Sequence, residues 1–181
     1  DRTKLVYLAN PCNPTGTYFT RRELDRFLAE VDDRALVVVD QAYHEYVNRP
    51  EYPDALDDVK RGRNVMVLRT FSKVYGLAGL RVGYGMASQE VIATVNRVRS
   101  PFNTSSLAQV AAIAALGGEE WVVKSREHNL RELEYLQGEL ARRGVRFTPS
   151  VTNFVLIEFE GDVKELFVEF QKRGVIIRPV G

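Results

Sequence analysis

Short apolar runs rich in β-branched residues alternate with helical patterns along the first half of the chain. The runs are almost continuously apolar, which is typical of strands that are covered on both faces. Four strands are predicted in this way, at residues 5–9, 35–40, 64–70 and 81–87. Strands that alternate with helices indicate an α/β protein, in which a parallel or mixed sheet carries helices on both faces.

A surface helix is predicted at residues 20–31. Thr20 and Glu23 stand in capping-box spacing at its start, and the apolar stripe that follows includes Leu24 and Phe27. We expect this helix to pack on the sheet through that stripe.

Two further helices are predicted beyond the fourth strand. Residues 106–116 are rich in alanine and apolar almost all round, a pattern typical of a buried helix. Residues 119–144 show the pattern of a long amphipathic helix that ends at a glycine. Its apolar stripe is formed by Leu130, Leu133, Leu136 or Gln137, and Leu140.

The pattern then changes to a strand at 153–159, a helix at 162–174 and a strand at 175–178. We interpret this part as a small α+β unit with a partial sheet of its own. Two domains are predicted, residues 1–118 and 119–181, with an approximate boundary at Gly117 and Gly118. Because the chain enters a strand almost at once and stops just after another, we expect it to be part of a longer protein.

Composition narrows the possible partners. Of the residues, 45% are hydrophobic and 27% are charged, which is typical of a soluble globular chain. The 25 basic residues nearly cancel the 24 acidic ones, so the charge gives no reason to expect binding to nucleic acid or to an anionic membrane. We therefore expect small-molecule or protein partners.

The expected location is the cytoplasm. The single cysteine, Cys12, excludes an internal disulfide and suits a reducing compartment. The sequence shows no secretory leader and no apolar run long enough to cross a bilayer. No metal site is predicted either, because His44 and Glu45 begin like a zinc-binding helix that lacks its second histidine.

Polar side chains gather where the predicted strands end. The first strand runs into the stretch NPCNPTG, in which proline pushes Asn10 and Asn13 towards extended backbone and so directs their carboxamides. Asp40 ends the second strand, Tyr43 follows it, and the stretch TFSK at residues 70–73 ends the third. Ligands of open α/β sheets bind outside the carboxyl ends of the strands, so we expect these residues to share one crevice.

Each of these residues also has a simpler explanation. The stretch NPCNPTG is compatible with an ordinary strand-to-helix turn. Asp40 taken alone is equally well explained as the N-cap of the segment that follows it, and a loop lysine such as Lys73 is usually just exposed to solvent. The expected convergence of these residues is what favours a ligand site.

The third strand end offers the chemistry for a ligand with a carbonyl and a phosphate. The amine of Lys73, in a partly desolvated cleft, can attack an aldehyde. Arg81 can hold a phosphate with its planar guanidinium, and the hydroxyls of Thr70 and Ser72 add donors. A cofactor that combines an aldehyde, a phosphate, a phenol and a pyridine nitrogen uses all of these groups, and pyridoxal 5'-phosphate fits that description.

Three stretches in this order, NPCNPTG, VVVDQAYHEY and RTFSKVYGLAGLRVGYG, resemble the motifs of fold-type I pyridoxal-phosphate-dependent aminotransferases. PFNTSSLAQVAAIAAL and VTNFVLIEF are similar to the histidinol-phosphate aminotransferases among them. The resemblance covers essentially the whole chain. It implies a large cofactor-binding domain with a mostly parallel sheet, together with part of a smaller C-terminal domain.

The resemblance also implies a role for each candidate site residue. Lys73 would attach the cofactor and transfer the proton, and Asp40 would pair with the pyridine nitrogen. Asn13 and Tyr43 would contact the phenolate oxygen, and the phosphate would be bound by Thr70, Ser72 and Arg81. Arg178 and Asn153 would contact the substrate. The family further implies a homodimer, and it expects upstream cofactor contacts and a downstream arginine that the sequence does not contain.

The implied activity is transfer of an amino group from histidinol phosphate to 2-oxoglutarate. An aromatic amino-acid aminotransferase and a related phosphate-amine decarboxylase are the enzymatic alternatives. The alternative from another class is a non-catalytic structural or interaction domain, because a sheet cut at its edge exposes unpaired strand edges and apolar area.

Overall fold

The structure is a computed structural model, and it describes residues 2–180. The strands are β1 (Leu5–Ala9), β2 (Leu36–Asp40), β3 (Val65–Thr70), β4 (Gly83–Met86), β5 (Phe147–Thr148) and β6 (Leu156–Ile157). The helices are α1 (Arg21–Val31), α2 (Leu56–Lys60), α3 (Gln89–Val98), α4 (Ser106–Leu116), α5 (Glu119–Arg142) and α6 (Val163–Lys172), with short 3-10 turns at His44–Tyr46 and Ala78–Leu80.

The main sheet has the order β1-β2-β3-β4. The first three strands are parallel, and β4 runs antiparallel to β3. Ala9 pairs with Asp40, and Asp40 pairs with Leu68, so the carboxyl ends of β1, β2 and β3 lie along one edge. The predicted α/β fold with a mostly parallel sheet is confirmed, and this edge is where the strand-end residues gather.

The core between the sheet and α1 consists of side chains that are at most 1% exposed, namely Leu24, Val37, Val39, Val65 and Val67. Burial of one such side chain stabilises a fold by roughly 1.5–3 kcal/mol. The predicted capping box starts α1, since the Thr20 side chain accepts from the Glu23 amide and the Glu23 side chain accepts from the Thr20 amide. The sheet is therefore a rigid support for its strand ends.

Helix α4 forms where it was predicted, but the expectation that it is buried is wrong. Only Ala108 and Ala112 are buried, and they pack near Phe71 and Val82. The larger apolar side chains of the helix point to solvent, at Leu107, Val110, Ile113 and Leu116. The composition of α4 indicated burial on all sides, whereas contact with the described part of the chain covers only its alanine face.

The long helix α5 packs through the predicted stripe, in which Leu130, Gln137 and Leu140 are half-buried around Leu133. Leu133 is buried, whereas Leu136 is 45% exposed. The interior position belongs to Gln137, whose side-chain oxygen accepts a hydrogen bond from the Ser150 amide at 2.9 Å. The alternative left open between Leu136 and Gln137 is therefore settled for Gln137.

The C-terminal strands are shorter than predicted. Only Leu156–Ile157 of the expected strand 153–159 is paired, antiparallel to Phe147–Thr148. Residues 175–178 form no strand in the part of the chain that the structure describes, and Ile176 is 82% exposed. A β-branched run becomes a strand only beside a partner edge, which this segment lacks among residues 2–180. The boundary at residue 118 stays a prediction.

Helix α3 was not predicted from the sequence. Its N-cap is Ser88, whose hydroxyl accepts from the Val91 amide at 3.3 Å. None of the helices that the structure describes is long and apolar enough to cross a membrane.

Candidate active site

The loop after β1 is held by Asn10 and presents Asn13. Asn10 is fully buried, and its carboxamide makes a reciprocal pair with the backbone of Phe19, donating to the carbonyl at 3.2 Å and accepting from the amide at 2.9 Å. Asn10 therefore fastens the loop, and its carboxamide is not among the groups that meet at Tyr43. Asn13 is exposed, and its side chain donates to the Tyr43 hydroxyl at 3.0 Å.

Asp40, at the end of β2, has a donor on each carboxylate oxygen. Its Oδ1 accepts from the Ala42 amide at 3.0 Å, and its Oδ2 accepts from the Tyr7 hydroxyl. The first contact caps the turn after β2, which is the simpler explanation considered above. The second contact holds the carboxylate over the edge of the sheet. Partial burial and the bond to Asp40 together raise the pKa of Tyr7 to about 12.

Tyr43 is the point where the loops meet. It is buried, and the Lys73 ammonium nitrogen lies 4.9 Å from the centroid of its ring. The edge of Phe154 packs against the same ring, with centroids 5.2 Å apart. Tyr43 thus joins Asn13 from the β1 loop, Lys73 from the β3 loop and the C-terminal unit.

Lys73 has no hydrogen bond and no carboxylate within salt-bridge distance among the described residues, and its contact with the Tyr43 ring is the one found for it. The amine is therefore positioned by the ring and, within residues 2–180, has no anion beside it. A cation over an aromatic face gains roughly 0.5–1 kcal/mol at exposed sites.

Thr70, Ser72 and Arg81 occupy the adjoining part of the edge. The Thr70 hydroxyl accepts from the Ser72 amide at 3.0 Å. Arg81 has left-handed backbone, with φ 54°, and is exposed, and its guanidinium donates to the Ala78 carbonyl at 2.8 Å. Arg81 lies two residues before β4, and since Thr70 pairs with Gly83, it is close to the Thr70 end of β3.

The two residues predicted to contact substrate both belong to the C-terminal part of the chain. Asn153 is exposed and directly precedes Phe154, whose ring packs on Tyr43. Arg178 is exposed in the C-terminal segment, and within residues 2–180 it makes no hydrogen bond or ion pair with the other site residues. The role of Arg178 stays a prediction.

The sequence analysis did not identify Tyr7 as a neighbour of Asp40, nor His44 as a buried group close to Arg69. Tyr7 pairs with Val38 in the parallel ladder, so its side chain shares a face with Asp40, and no local sequence signal specifies this register. Burial and the positive charge of Arg69 lower the pKa of His44 to about 4. His44 had been considered only as a possible metal ligand.

The assembled groups match the chemical groups of pyridoxal phosphate. They comprise an amine without an anionic partner, a carboxylate at a strand end, an amide and a phenol in contact, and two hydroxyls near an arginine. The site residues therefore fit the cofactor that the sequence motifs imply.

Comparisons with known proteins agree with this fit. The family model of class I and II aminotransferases matches residues 1–181. A histidinol-phosphate aminotransferase of Anaeromyxobacter sp. is 53% identical over 180 residues, which is 99% of this chain and 50% of that protein. One of Moorella thermoacetica is 49% identical over 178 residues, which is 98% of this chain and 46% of that protein.

The fold is also found in a solved relative. The crystal structure of histidinol-phosphate aminotransferase from Sinorhizobium meliloti in complex with pyridoxal-5'-phosphate matches with a TM-score of 0.82 and 31% identity, over 96% of this chain and 48% of that one. The chain spans about half the length of the curated relatives it matches. With its whole length matched by the family model, the chain belongs to the class I and II aminotransferases.

Proposed function

We propose that the full-length protein that contains this chain is a pyridoxal-phosphate-dependent aminotransferase that converts histidinol phosphate and 2-oxoglutarate into imidazole acetol phosphate and glutamate. The observation that carries this proposal is the position of the Lys73 amine, which has no carboxylate partner among the described residues and lies over the ring of Tyr43. The hydroxyl of that ring accepts from Asn13. The names of the matched relatives support the choice of substrate.

Lys73, Asp40 and Tyr43 would carry the central roles. When bound, the cofactor supplies a ring that accepts the electron pair released at the substrate Cα. Lys73 would hold the cofactor covalently and, once displaced by the incoming amine, move the proton between Cα and C4'. Asp40 would pair with the protonated pyridine nitrogen, since a carboxylate stabilises an adjacent cation. Tyr43 would donate to the phenolate oxygen.

Asn13 would share that phenolate contact, because its carboxamide already touches the Tyr43 hydroxyl. Thr70 and Ser72 would donate to the phosphate from the end of β3. Arg81 would join them by exchanging its bond to the Ala78 carbonyl for a charge-assisted bond to the phosphate.

Asn153 and Arg178 would face the substrate, Asn153 from its position before Phe154 and Arg178 as the cation for the substrate's phosphate or carboxylate. We further propose that the full-length enzyme is a homodimer in the cytoplasm. These proposals rest on the family and on composition.

The substrate choice is tested with the visible absorbance of the cofactor-loaded full-length protein. Histidinol phosphate, added without a 2-oxo acid, is expected to bleach the band, and 2-oxoglutarate is expected to restore it with formation of glutamate in equal amount. Aromatic amino acids and phosphorylated amino acids are the comparison amines. A response to one of these, together with none to histidinol phosphate, would show that the substrate proposed is wrong.

A further inference from the structure

We propose that Gln41 and Tyr52 form a buried hydrogen-bond bridge that fixes the relative positions of the three strand-end loops of the active site. The bridge runs from Arg69 on β3, through Gln41 after β2, to Tyr52, and ends on Asn10 after β1. Its members are positioning residues, because they act through their neighbours. The inference rests on the proposed function for what the loops hold, but the existence of the bridge does not.

Gln41 is the centre of the bridge. It is fully buried, and every polar atom of the residue has a partner. Its side-chain oxygen accepts from Arg69 at 3.1 Å. Its side-chain nitrogen donates to the Tyr52 hydroxyl at 3.0 Å and to the Pro53 carbonyl at 2.8 Å. Its backbone amide donates to Leu68, and its carbonyl accepts from His44.

The direction of the hydrogen bonds is determined by their partners. The Tyr52 hydroxyl donates to the Asn10 carbonyl at 2.7 Å, so it must accept from the Gln41 amide nitrogen. Arg69 can only donate, so the Gln41 oxygen must face it. Burial raises the pKa of Tyr52, which keeps its hydroxyl protonated at neutral pH. The bridge therefore has one arrangement of donors and acceptors.

Each end of the bridge lies next to a proposed cofactor residue. Arg69 precedes Thr70, Gln41 follows Asp40, and the backbone amide of Asn10 donates to the Asp40 carbonyl at 2.9 Å. Arg69 is itself anchored by Asp54, with 2.6 Å between the guanidinium and a carboxylate oxygen. The side-chain groups of Gln41 and the hydroxyl of Tyr52 are all hydrogen-bonded, whereas the Nε of Arg69 has no partner among the described residues. Satisfied buried polar groups specify one geometry, so the positioning is carried by Gln41 and Tyr52.

The bridge is tested by removing one oxygen atom. Tyr52→Phe keeps the ring but cuts the link between Gln41 and Asn10. Tyr18→Phe is the matched control, because the Tyr18 ring packs edge-on against Tyr52 with centroids 6.1 Å apart while its hydroxyl bonds Glu51 outside the bridge.

The first readout is amide hydrogen exchange of the full-length protein without cofactor. Of the two hydrogen bonds that Tyr52→Phe removes, the one to the Asn10 carbonyl holds residues 10–19, and its loss is expected to speed exchange there by about tenfold. The Cys12 and Gly16 amides report this directly, because both are hydrogen-bonded inside that loop. The core amides of Val39 and Val67 are expected to keep their rates, and Tyr18→Phe is expected to behave as wild type throughout.

The second readout is the binding of pyridoxal phosphate. The dissociation constant is expected to rise about tenfold in Tyr52→Phe and to stay unchanged in Tyr18→Phe. Gln41→Met is expected to loosen the loops after β1 and after β3.

Two results would overturn the bridge. One is equal exchange in residues 10–19 for Tyr52→Phe and Tyr18→Phe. The other is a uniform increase at all sheet amides, which would indicate a general loss of stability without specific positioning. If the wild-type protein binds no pyridoxal phosphate, the proposed function fails, and the exchange comparison without cofactor still decides whether the bridge exists.

Discussion

The ammonium of Lys73 lies over the ring of Tyr43, 4.9 Å from its centroid, and the hydroxyl of the same ring accepts from Asn13. The three residues follow β3, β2 and β1 respectively. One tyrosine therefore connects the ends of three parallel strands. The amine, the phenol and the amide are brought within reach of a single ligand, although they lie far apart in the sequence.

Tyr43→Phe is expected to raise the pH at which the visible band of the bound cofactor titrates. Loss of a donor to the phenolate oxygen removes about 1.5–3 kcal/mol of stabilisation from the deprotonated form. The expected shift is roughly one to two pH units. A spectrophotometric pH titration of the full-length protein measures it.

Tyr46→Phe is the control for that titration, because Tyr46 is a buried tyrosine of the same turn and belongs to the same cluster as Tyr43 and Val74. Its band is expected to titrate as in wild type. An unshifted Tyr43→Phe band would mean that Tyr43 does not contact the cofactor oxygen.

Gly16→Ala is expected to destabilise the protein strongly. Gly16 has φ +74°, and a Cβ built on it lies 2.2 Å from the Ser150 hydroxyl oxygen. The Gly16 carbonyl also accepts from the Val151 amide at 3.0 Å, so the two segments cannot easily separate. The free energy of unfolding is expected to fall by about 3 kcal/mol, from backbone strain and overpacking together.

Gly62→Ala separates the two causes. Gly62 has φ +76°, and nothing lies within 4 Å of the Cβ position. Urea unfolding measures both variants, and Gly62→Ala is expected to lower the free energy of unfolding by about 1 kcal/mol, from backbone strain alone. Equal losses for the two variants would show that the close approach of Gly16 to Ser150 has no energetic effect.

His44 is expected to make stability depend on pH. Burial, and then the charge of Arg69, lower its pKa from 6.5 to about 4 in the folded protein. Between these values the unfolded chain binds a proton that the folded protein does not. The stability contributed by neutral His44 is therefore complete above pH 6.5 and is lost as pH falls towards 4, by up to about 3 kcal/mol.

Urea unfolding at several pH values in this window, for wild type and His44→Gln, measures that contribution. The variant is expected to show the smaller loss of stability on acidification. His128→Gln replaces an exposed histidine of α5 and is expected to keep the wild-type dependence. If His44→Gln also kept it, the buried neutral state of His44 would not be the cause.

The sequence was sufficient for the parts of the fold that depend on local pattern. The apolar runs predicted the strands of the sheet, and the capping box predicted the start of α1. The convergence of Asn13, Tyr43 and Lys73 followed from one rule, that parallel strands end at one edge. That rule and the strand positions were enough to predict that these three side chains meet.

The remainder depends on contacts between distant segments. The bond between Tyr7 and Asp40 requires the register of β1 against β2, and the Gln41 bridge requires the fold of the 50–53 loop. The exposure of α4 and the missing strand at 175–178 depend on which elements lie beside them. Such information is absent from local periodicity.

Lys73 is the residue proposed to carry the cofactor, and its attachment can be observed directly. The most direct measurement is incubation of the full-length protein with pyridoxal phosphate, borohydride reduction and peptide mass mapping, with Lys73→Ala and the exposed Lys60→Ala as comparisons. A stable adduct on Lys73 in wild type and Lys60→Ala, absent in Lys73→Ala, is the predicted result. Adducts scattered over surface lysines, equally in Lys73→Ala, would contradict this proposal.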